Sequence, residues 1–138
     1  MDYKKFYKKR FFAHVFSFPF IWAPLIPLLF LDLLLEIYHQ IGFRLYGLPL
    51  VKRKMFIQIN DRNKLNYLNF FEKIGCMYCG YVNGFFLYAK EVAGRTEKYW
   101  CGIMHEKKPG FKTHMDQIDQ DFAEFGNEAD FKNKYLQD

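Results

Sequence analysis

The feature that most constrains this chain is an apolar run near its N-terminus. Residues 11–35 read FFAHVFSFPFIWAPLIPLLFLDLLL, and the stretch from Val15 to Leu31 carries no charge. A helix that crosses a bilayer needs about 20 such residues, and the rest of this chain is too short to bury one in a soluble core. No small-x-small cleavage pattern follows the run, so we expect a retained, membrane-embedded helix.

Basic residues on both sides of the run leave its topology open. The preceding flank contains Lys4, Lys5, Lys8, Lys9 and Arg10, and the following flank contains Arg44, Lys52, Arg53 and Lys54. Positive flanks favour the cytoplasmic side of a membrane. A re-entrant segment kinked at Pro19, Pro24 and Pro27 would keep both flanks there, whereas a single span would move one across.

An amphipathic helix is expected directly after the apolar run, over LDLLLEIYHQIGFRLYGLP. Its Asp32, Glu36 and His39 follow an i, i+4, i+7 spacing, which places three possible metal ligands on one stripe. The alternative is a stripe that faces water or lipid headgroups. A di-metal carboxylate site would need a second Glu-x-x-His helix, which the chain does not contain. This stripe is therefore the weaker of two candidate metal sites.

The stronger candidate metal site is built from the chain's three cysteines and one histidine. Cys76, Cys79, Cys101 and His105 follow the pattern C-x2-C-x21-C-x3-H, a Cys3His set typical of structural zinc. The Cys-x-x-Cys-Gly half of it resembles the knuckle of rubredoxins and zinc ribbons. Three alternatives stay open: a rubredoxin-like iron site, a reversible Cys76/Cys79 redox pair, and cysteines that only pack.

One shared ion requires the chain to reverse direction between Cys79 and Cys101. The sequence predicts helices over 61–74, capped at Asn60 or Asp61, and over 81–100. An unbroken second helix would hold the two cysteines about 30 Å apart, and any metal site would then be shared between chains or use other ligands. We therefore predict a reversal at Gly94, with Thr96 capping the next helix.

The predicted fold is mainly α, in three parts. Residues 1–54 form the membrane anchor and interfacial amphipathic helix, 55–108 a small helical Cys/His metal-binding domain, and 109–138 a polar acidic-aromatic tail. His114 is expected on a solvated loop of that tail, and His14 at the lipid interface. The net charge of +5 is concentrated around the apolar run, which argues against nucleic acid as a partner.

Several segments of the chain resemble a family of small, uncharacterised bacterial membrane proteins. They are the stretch LDLLLEIYHQIGFRLYGLP, the VKR that follows it, CMYCGYVNG over 76–84 and YWCGIMH over 99–105. The family pattern is close to C-x-Y-C-G-Y-x-N-G and then Y-W-C-P-x-x-H, so Gly102 stands where a proline is usual. The resemblance implies a bacterial membrane protein with paired Cys and His motifs, and it implies no particular activity.

Two functional hypotheses follow. In the first, the chain is anchored in the bacterial inner membrane with its soluble part in the cytoplasm. There it binds zinc and serves as an accessory or interaction subunit of a membrane assembly, so its partners are the lipid bilayer and another protein. In the second, it is a membrane-associated redox or metal-dependent enzyme, or an iron electron carrier, that uses Cys76 and Cys79. The sequence leaves open whether the chain is an enzyme.

Overall fold

Two apolar helices begin the computed structural model, which describes residues 10–136. Helix α1 spans Phe11–Trp22 and helix α2 spans Leu25–Leu45. The linking residues Ala23 and Pro24 both have right-handed helical backbone angles, so the chain continues through a proline joint without turning back. A re-entrant hairpin requires a reversal of direction, and the backbone of residues 10–45 makes none.

The combined helix over Phe11–Leu45 is long and apolar enough, by length and composition alone, to cross a membrane. Its 35 residues rise about 52 Å, which exceeds the roughly 30 Å of a bilayer's hydrocarbon core. Only 11% of its most apolar window is buried, whereas the core helix of a soluble protein would be mostly buried. Its most exposed large side chains are Phe12, Phe16, Phe20, Ile26 and Leu45.

Helix α2 carries a buried stripe that includes polar side chains. Leu28, Asp32, His39 and Phe43 follow one another at helical spacing and are all buried. The stripe predicted over Asp32, Glu36 and His39 thus exists, but two of its three members are shielded from solvent. Glu36 alone stays partly exposed, with 34% of its side chain accessible.

The chain divides after Leu50 into two compact units, and the second covers Val51–Asp138. This unit begins with an irregular segment that contains two short 3-10 turns, Arg53–Met55 and Arg62–Lys64. The helix predicted over 61–74 starts later than expected, at Phe70. A capping box explains the position, because Asn69 accepts from the Glu72 backbone N–H and Glu72 accepts from the Asn69 N–H.

Helix α3 spans Phe70–Trp100 and is continuous. The reversal predicted at Gly94 is wrong, because Gly94 lies inside the helix and is buried there. The helix ends instead at Gly102, which adopts a φ of +64° and donates its N–H to the Glu97 carbonyl. Glycine takes this left-handed conformation without strain, so the residue that stands in place of a proline is itself the helix stop.

The C-terminal residues fold back onto the second half of α3. Helix α4 spans Met115–Asp119 and contacts α3, and helix α5 spans Glu128–Tyr135. Between them, Phe122 and Ala123 are buried, and Ala123 forms a parallel β-bridge with Ile103. Residues 109–136, predicted as a separate tail, therefore belong to the same compact unit as α3. No β-strand occurs between residues 10 and 136.

Candidate metal centre

The structure places the members of the predicted Cys/His site in two separate regions. Cys76 and Cys79 lie near the start of α3, whereas Cys101 is the C-cap of the same helix. At 1.5 Å per residue, the helix separates Cys79 from Cys101 by about 33 Å along its axis. One chain therefore does not bring Cys76, Cys79, Cys101 and His105 to a single ion. A site shared between two chains stays a prediction.

Cys76 and Cys79 remain a pair on the helix surface. Residues three apart on a helix are neighbours, so the two thiols face a similar direction. Both are free thiols, and Cys79 is the more exposed. The predicted redox role of this pair, or its use as half of an intermolecular metal site, is compatible with this placement.

The weaker candidate site on α2 does not close around an ion. Glu36 Oε1 lies 3.9 Å from His39 Nδ1 and accepts a hydrogen bond of 2.7 Å from Gln40. Asp32 lies one turn further back, and the three side chains do not meet within 4.8 Å. The stripe is therefore a set of partnered polar groups, two of them buried, rather than a ready coordination shell.

A different group does converge, at the far end of α3. Ligand atoms of Glu97, His105 and His114 all lie within 4.8 Å of one another, the one such group in the part of the chain that the structure describes. His105 Nε2 is 3.7 Å from Glu97 Oε1, and the two imidazole rings are 5.5 Å apart. Glu97 belongs to the last turn of α3, His105 follows the Gly102 stop, and His114 is the N-cap of α4.

The buried residue Gln117 hydrogen-bonds to all three ligand residues, through its side-chain amide to Glu97 and His105 and through its backbone N–H to His114. Gln117 is 1% exposed, and its Nε2 donates to Glu97 Oε1 at 2.7 Å. Its Oε1 accepts from the backbone N–H of His105 at 3.2 Å, and its own N–H donates to the His114 carbonyl at 3.1 Å. A side chain that fixes the orientation of metal ligands from behind is a regular feature of metal sites. Gln117 occupies this position for the Glu97 carboxylate, and it also fixes the backbone of both histidines.

Gly94 allows α4, and with it Gln117, to reach α3. A Cβ atom built at Gly94 would lie 2.8 Å from the Asp116 side chain, so only glycine leaves room for this approach. The Asp116 carboxylate in turn forms an ion pair of 2.5 Å with Lys90. The glycine predicted to break the helix therefore serves as a packing notch beside the ligand cluster.

The segment that carries His105 is held by backbone pairing. Met104 donates to the Ala123 carbonyl at 2.8 Å, and Ala123 donates to the Gly102 carbonyl at 2.7 Å. The Phe111 ring lies against both imidazoles, 5.6 Å from His105 and 6.1 Å from His114. These contacts position the two histidines even though both are exposed to solvent.

Glu97 and His105 line an open cleft of about 500 Å³, and the Cys101 thiol lines it as well. Two of the four predicted ligands, Cys101 and His105, thus share this cleft. The cleft is also lined by four apolar residues, Ile103, Met104, Phe111 and Phe125, and by two charged ones, Glu106 and Lys108. A partly apolar cleft beside a carboxylate and imidazoles can hold a metal ion and one further ligand.

The donor set of one carboxylate and two imidazoles suits zinc and related divalent metals. Bonds of about 2.0–2.1 Å in a tetrahedral site place neighbouring ligand atoms about 3.3 Å apart. The observed separation of 3.7 Å between Glu97 and His105 is close to that value. These two ligand atoms therefore need to approach each other by only about 0.4 Å to bind one ion.

Sequence reasoning missed Glu97 and undervalued His114. A signal for Glu97 existed, because Glu97, Cys101 and His105 follow an unbroken i, i+4, i+8 spacing. His114 had no local signal, since its position depends on how α4 packs against α3. No protein-family model, no curated protein and no solved structure matches this chain.

Proposed function

We propose that this chain is a membrane-anchored zinc-binding protein, with Glu97, His105 and His114 as ligands. The observation that carries the proposal is the convergence of the three ligand atoms, together with the buried Gln117 amide, which donates to the Glu97 carboxylate and accepts from the His105 backbone N–H. A buried donor behind the Glu97 carboxylate holds this ligand in one orientation beside His105. The arrangement is the one expected where ligand orientation matters.

The anchor in this proposal is the helix over Phe11–Leu45. Its exposed phenylalanine and leucine side chains suit contact with lipid, and lysine and arginine residues flank it on both sides. The resemblance to small bacterial membrane proteins supports the bacterial inner membrane as the location. Cysteines that remain free thiols suit a reducing compartment, so the second unit is assigned to the cytoplasm.

The role of the metal in this proposal is structural, and the protein acts as an accessory or interaction subunit of a membrane assembly. Cys101 lines the same cleft as Glu97 and His105 and is assigned here as the fourth ligand; its thiol lies outside the group that meets within 4.8 Å, so it would have to move toward the ion. Four protein ligands would close the site, as in other structural zinc centres. The bound ion would then join the end of α3 to α4.

A metal-dependent enzyme is the second candidate, favoured by the open cleft at the ligands. Three protein ligands with one free position are typical of catalytic zinc, where the fourth position holds water. The two candidates differ in what Cys101 does. With Co²⁺ in place of zinc, a thiolate ligand gives an intense near-ultraviolet charge-transfer band, and water as the fourth ligand gives none.

Zinc content of detergent-purified protein tests the proposed ligands. The wild type should retain about one zinc per chain, the number that a single three-ligand group holds. His114→Ala should lose the metal, and a Cys76→Ser/Cys79→Ser double variant should keep it. The opposite result, with zinc lost only in the double cysteine variant, would refute these ligands and favour a site shared between chains. Iron with visible absorption would favour the electron-carrier alternative.

A further inference from the structure

The segment that opens the second unit is strongly basic. Residues 51–69 contain Lys52, Arg53, Lys54, Arg62 and Lys64 and a single acidic residue, Asp61. None of Lys52, Lys54 and Lys64 has an ion-pair partner within residues 10–136. Arg62 meets Asp61 only at 3.9 Å, and its side chain remains 47% exposed. Most of this positive charge is therefore available to an external anion.

Large apolar side chains lie among these charges and face solvent. Met55 is 75% exposed, Tyr67 80%, Phe70 71% and Phe71 81%. Phe70 and Phe71 contact each other edge to face at 5.8 Å and make the start of α3 an apolar tip. Basic residues mixed with exposed aromatic ones are typical of surfaces that rest on lipid headgroups, where charge and ring are both accommodated.

The backbone of this segment is fixed against α3. Cβ atoms built at Gly80 and Gly84 would lie 2.5 Å and 2.6 Å from the carbonyl oxygens of Gln58 and Phe56. Arg53 stacks over the Tyr88 ring at 5.3 Å. The backbone of this segment is therefore used in packing, while Lys52, Lys54 and Lys64 are exposed to solvent. The basic residues therefore lie on a segment whose backbone is held in place by its packing against α3.

The covalent connection keeps this surface close to the proposed membrane anchor. The seven residues from Leu45 to Lys52 can span at most about 25 Å. A polybasic segment on such a short tether can reach the negative potential of an anionic leaflet, which extends about 8 Å in physiological salt. Charge complementarity therefore favours a lipid surface over a free solute as the occupant.

We propose that residues 52–71 form a juxtamembrane surface that binds the phosphate headgroups of anionic lipids. Lys52, Lys54 and Lys64 contact the phosphates, while Met55, Tyr67 and Phe71 enter the headgroup layer. The inference rests on the membrane anchor of the proposed function and does not depend on the metal centre. Nucleic acid and acidic protein surfaces are competing occupants, and the experiment separates them.

The test measures lysine acetylation by mass spectrometry on the full chain in lipid nanodiscs. One set of discs contains zwitterionic lipid alone, and the other contains phosphatidylglycerol as well. Lys52, Lys54 and Lys64 should react roughly fivefold less in the anionic discs, and 1 M salt should abolish the difference. Lys107 and Lys112, exposed lysines in the same unit, are the matched controls and should react equally in both discs.

Equal acetylation of the three lysines in both kinds of disc would overturn the proposal. An equal decrease at Lys107 and Lys112 would do the same, because it would show a general effect of disc charge and no local surface. Protection by an added oligonucleotide or acidic peptide but not by anionic lipid would assign the surface to that competitor. Failure of the chain to enter discs at all, seen beforehand by size exclusion, would refute the anchor itself.

Discussion

Replacing Gln117 by leucine removes the buried amide behind the ligand cluster while keeping the size of the side chain. The variant loses the hydrogen bond of 2.7 Å to the Glu97 carboxylate and leaves the His105 N–H without its acceptor. A hydrogen bond to a charged group contributes about 1.5–3 kcal/mol. Glu97 is 30% exposed, so water recovers part of this for the carboxylate. The His105 backbone N–H, which is part-buried, recovers less of the lost hydrogen-bond energy from water.

We expect zinc affinity to fall about 10- to 100-fold in Gln117→Leu, the range found when outer-shell partners are removed. This corresponds to about 1.4–2.8 kcal/mol, which is close to the value of the lost hydrogen bond. Competition with a chromophoric chelator measures the affinity, and a thermal melt of the metal-free protein reports the change in stability separately.

Gln120→Leu is the matched control for this experiment. It makes the same substitution at the end of α4, where the Gln120 side chain forms no hydrogen bond within residues 10–136. Its zinc affinity should equal that of the wild type. An unchanged affinity in Gln117→Leu, or an equal loss in both variants, would show that Gln117 does not orient the ligands.

Three further predictions concern packing and pH. Gly84→Ala should destabilise the protein by about 1–3 kcal/mol in a denaturant titration, because the new Cβ would lie 2.6 Å from the backbone of Phe56. The control Gly75→Ala should stabilise the protein by up to about 1 kcal/mol, because the new Cβ would enter open space. Gly94→Ala should weaken zinc binding in the chelator assay, because α4 is displaced from α3; an unaltered affinity would contradict the notch. The pKa of Asp130 lies below 3.8, because the Glu124 N–H and then Lys134 stabilise its carboxylate. Its contribution to stability is therefore complete above pH 3.8 and lost as the pH falls through the lowered pKa, and an NMR titration midpoint at or above 3.8 would refute this.

The sequence predicted the helices better than their ends. The apolar helix and the helical region over 81–100 follow from composition and periodicity, which are local properties. Gly94 and Gly102 are both glycines near the same helix end, and periodicity does not tell which one stops it. The structure shows that Gly94 admits Asp116 and that Gly102 provides the positive φ. Only the tertiary contact of α4 distinguishes the two roles.

The candidate metal centre was only half visible in the sequence. Cys101 and His105 were chosen for their spacing, and the cleft contains both. Cys76 and Cys79 were predicted as ligands because thiolates bind metals strongly. Which ligands share an ion in the folded protein depends on packing and not on ligand chemistry alone. His114 reaches the cluster because α4 folds back onto α3, and no sequence pattern near His114 predicts this contact.

The continuity of α3 has a practical consequence for experiments on this protein. Cys79 and Cys101 are both exposed, and one continuous helix separates them by about 33 Å. Paired spectroscopic labels on these two thiols, with Cys76 replaced by serine, would read the straightness of the helix directly as a distance. Any event that bends the helix between these two labels would register as a shortening of that distance.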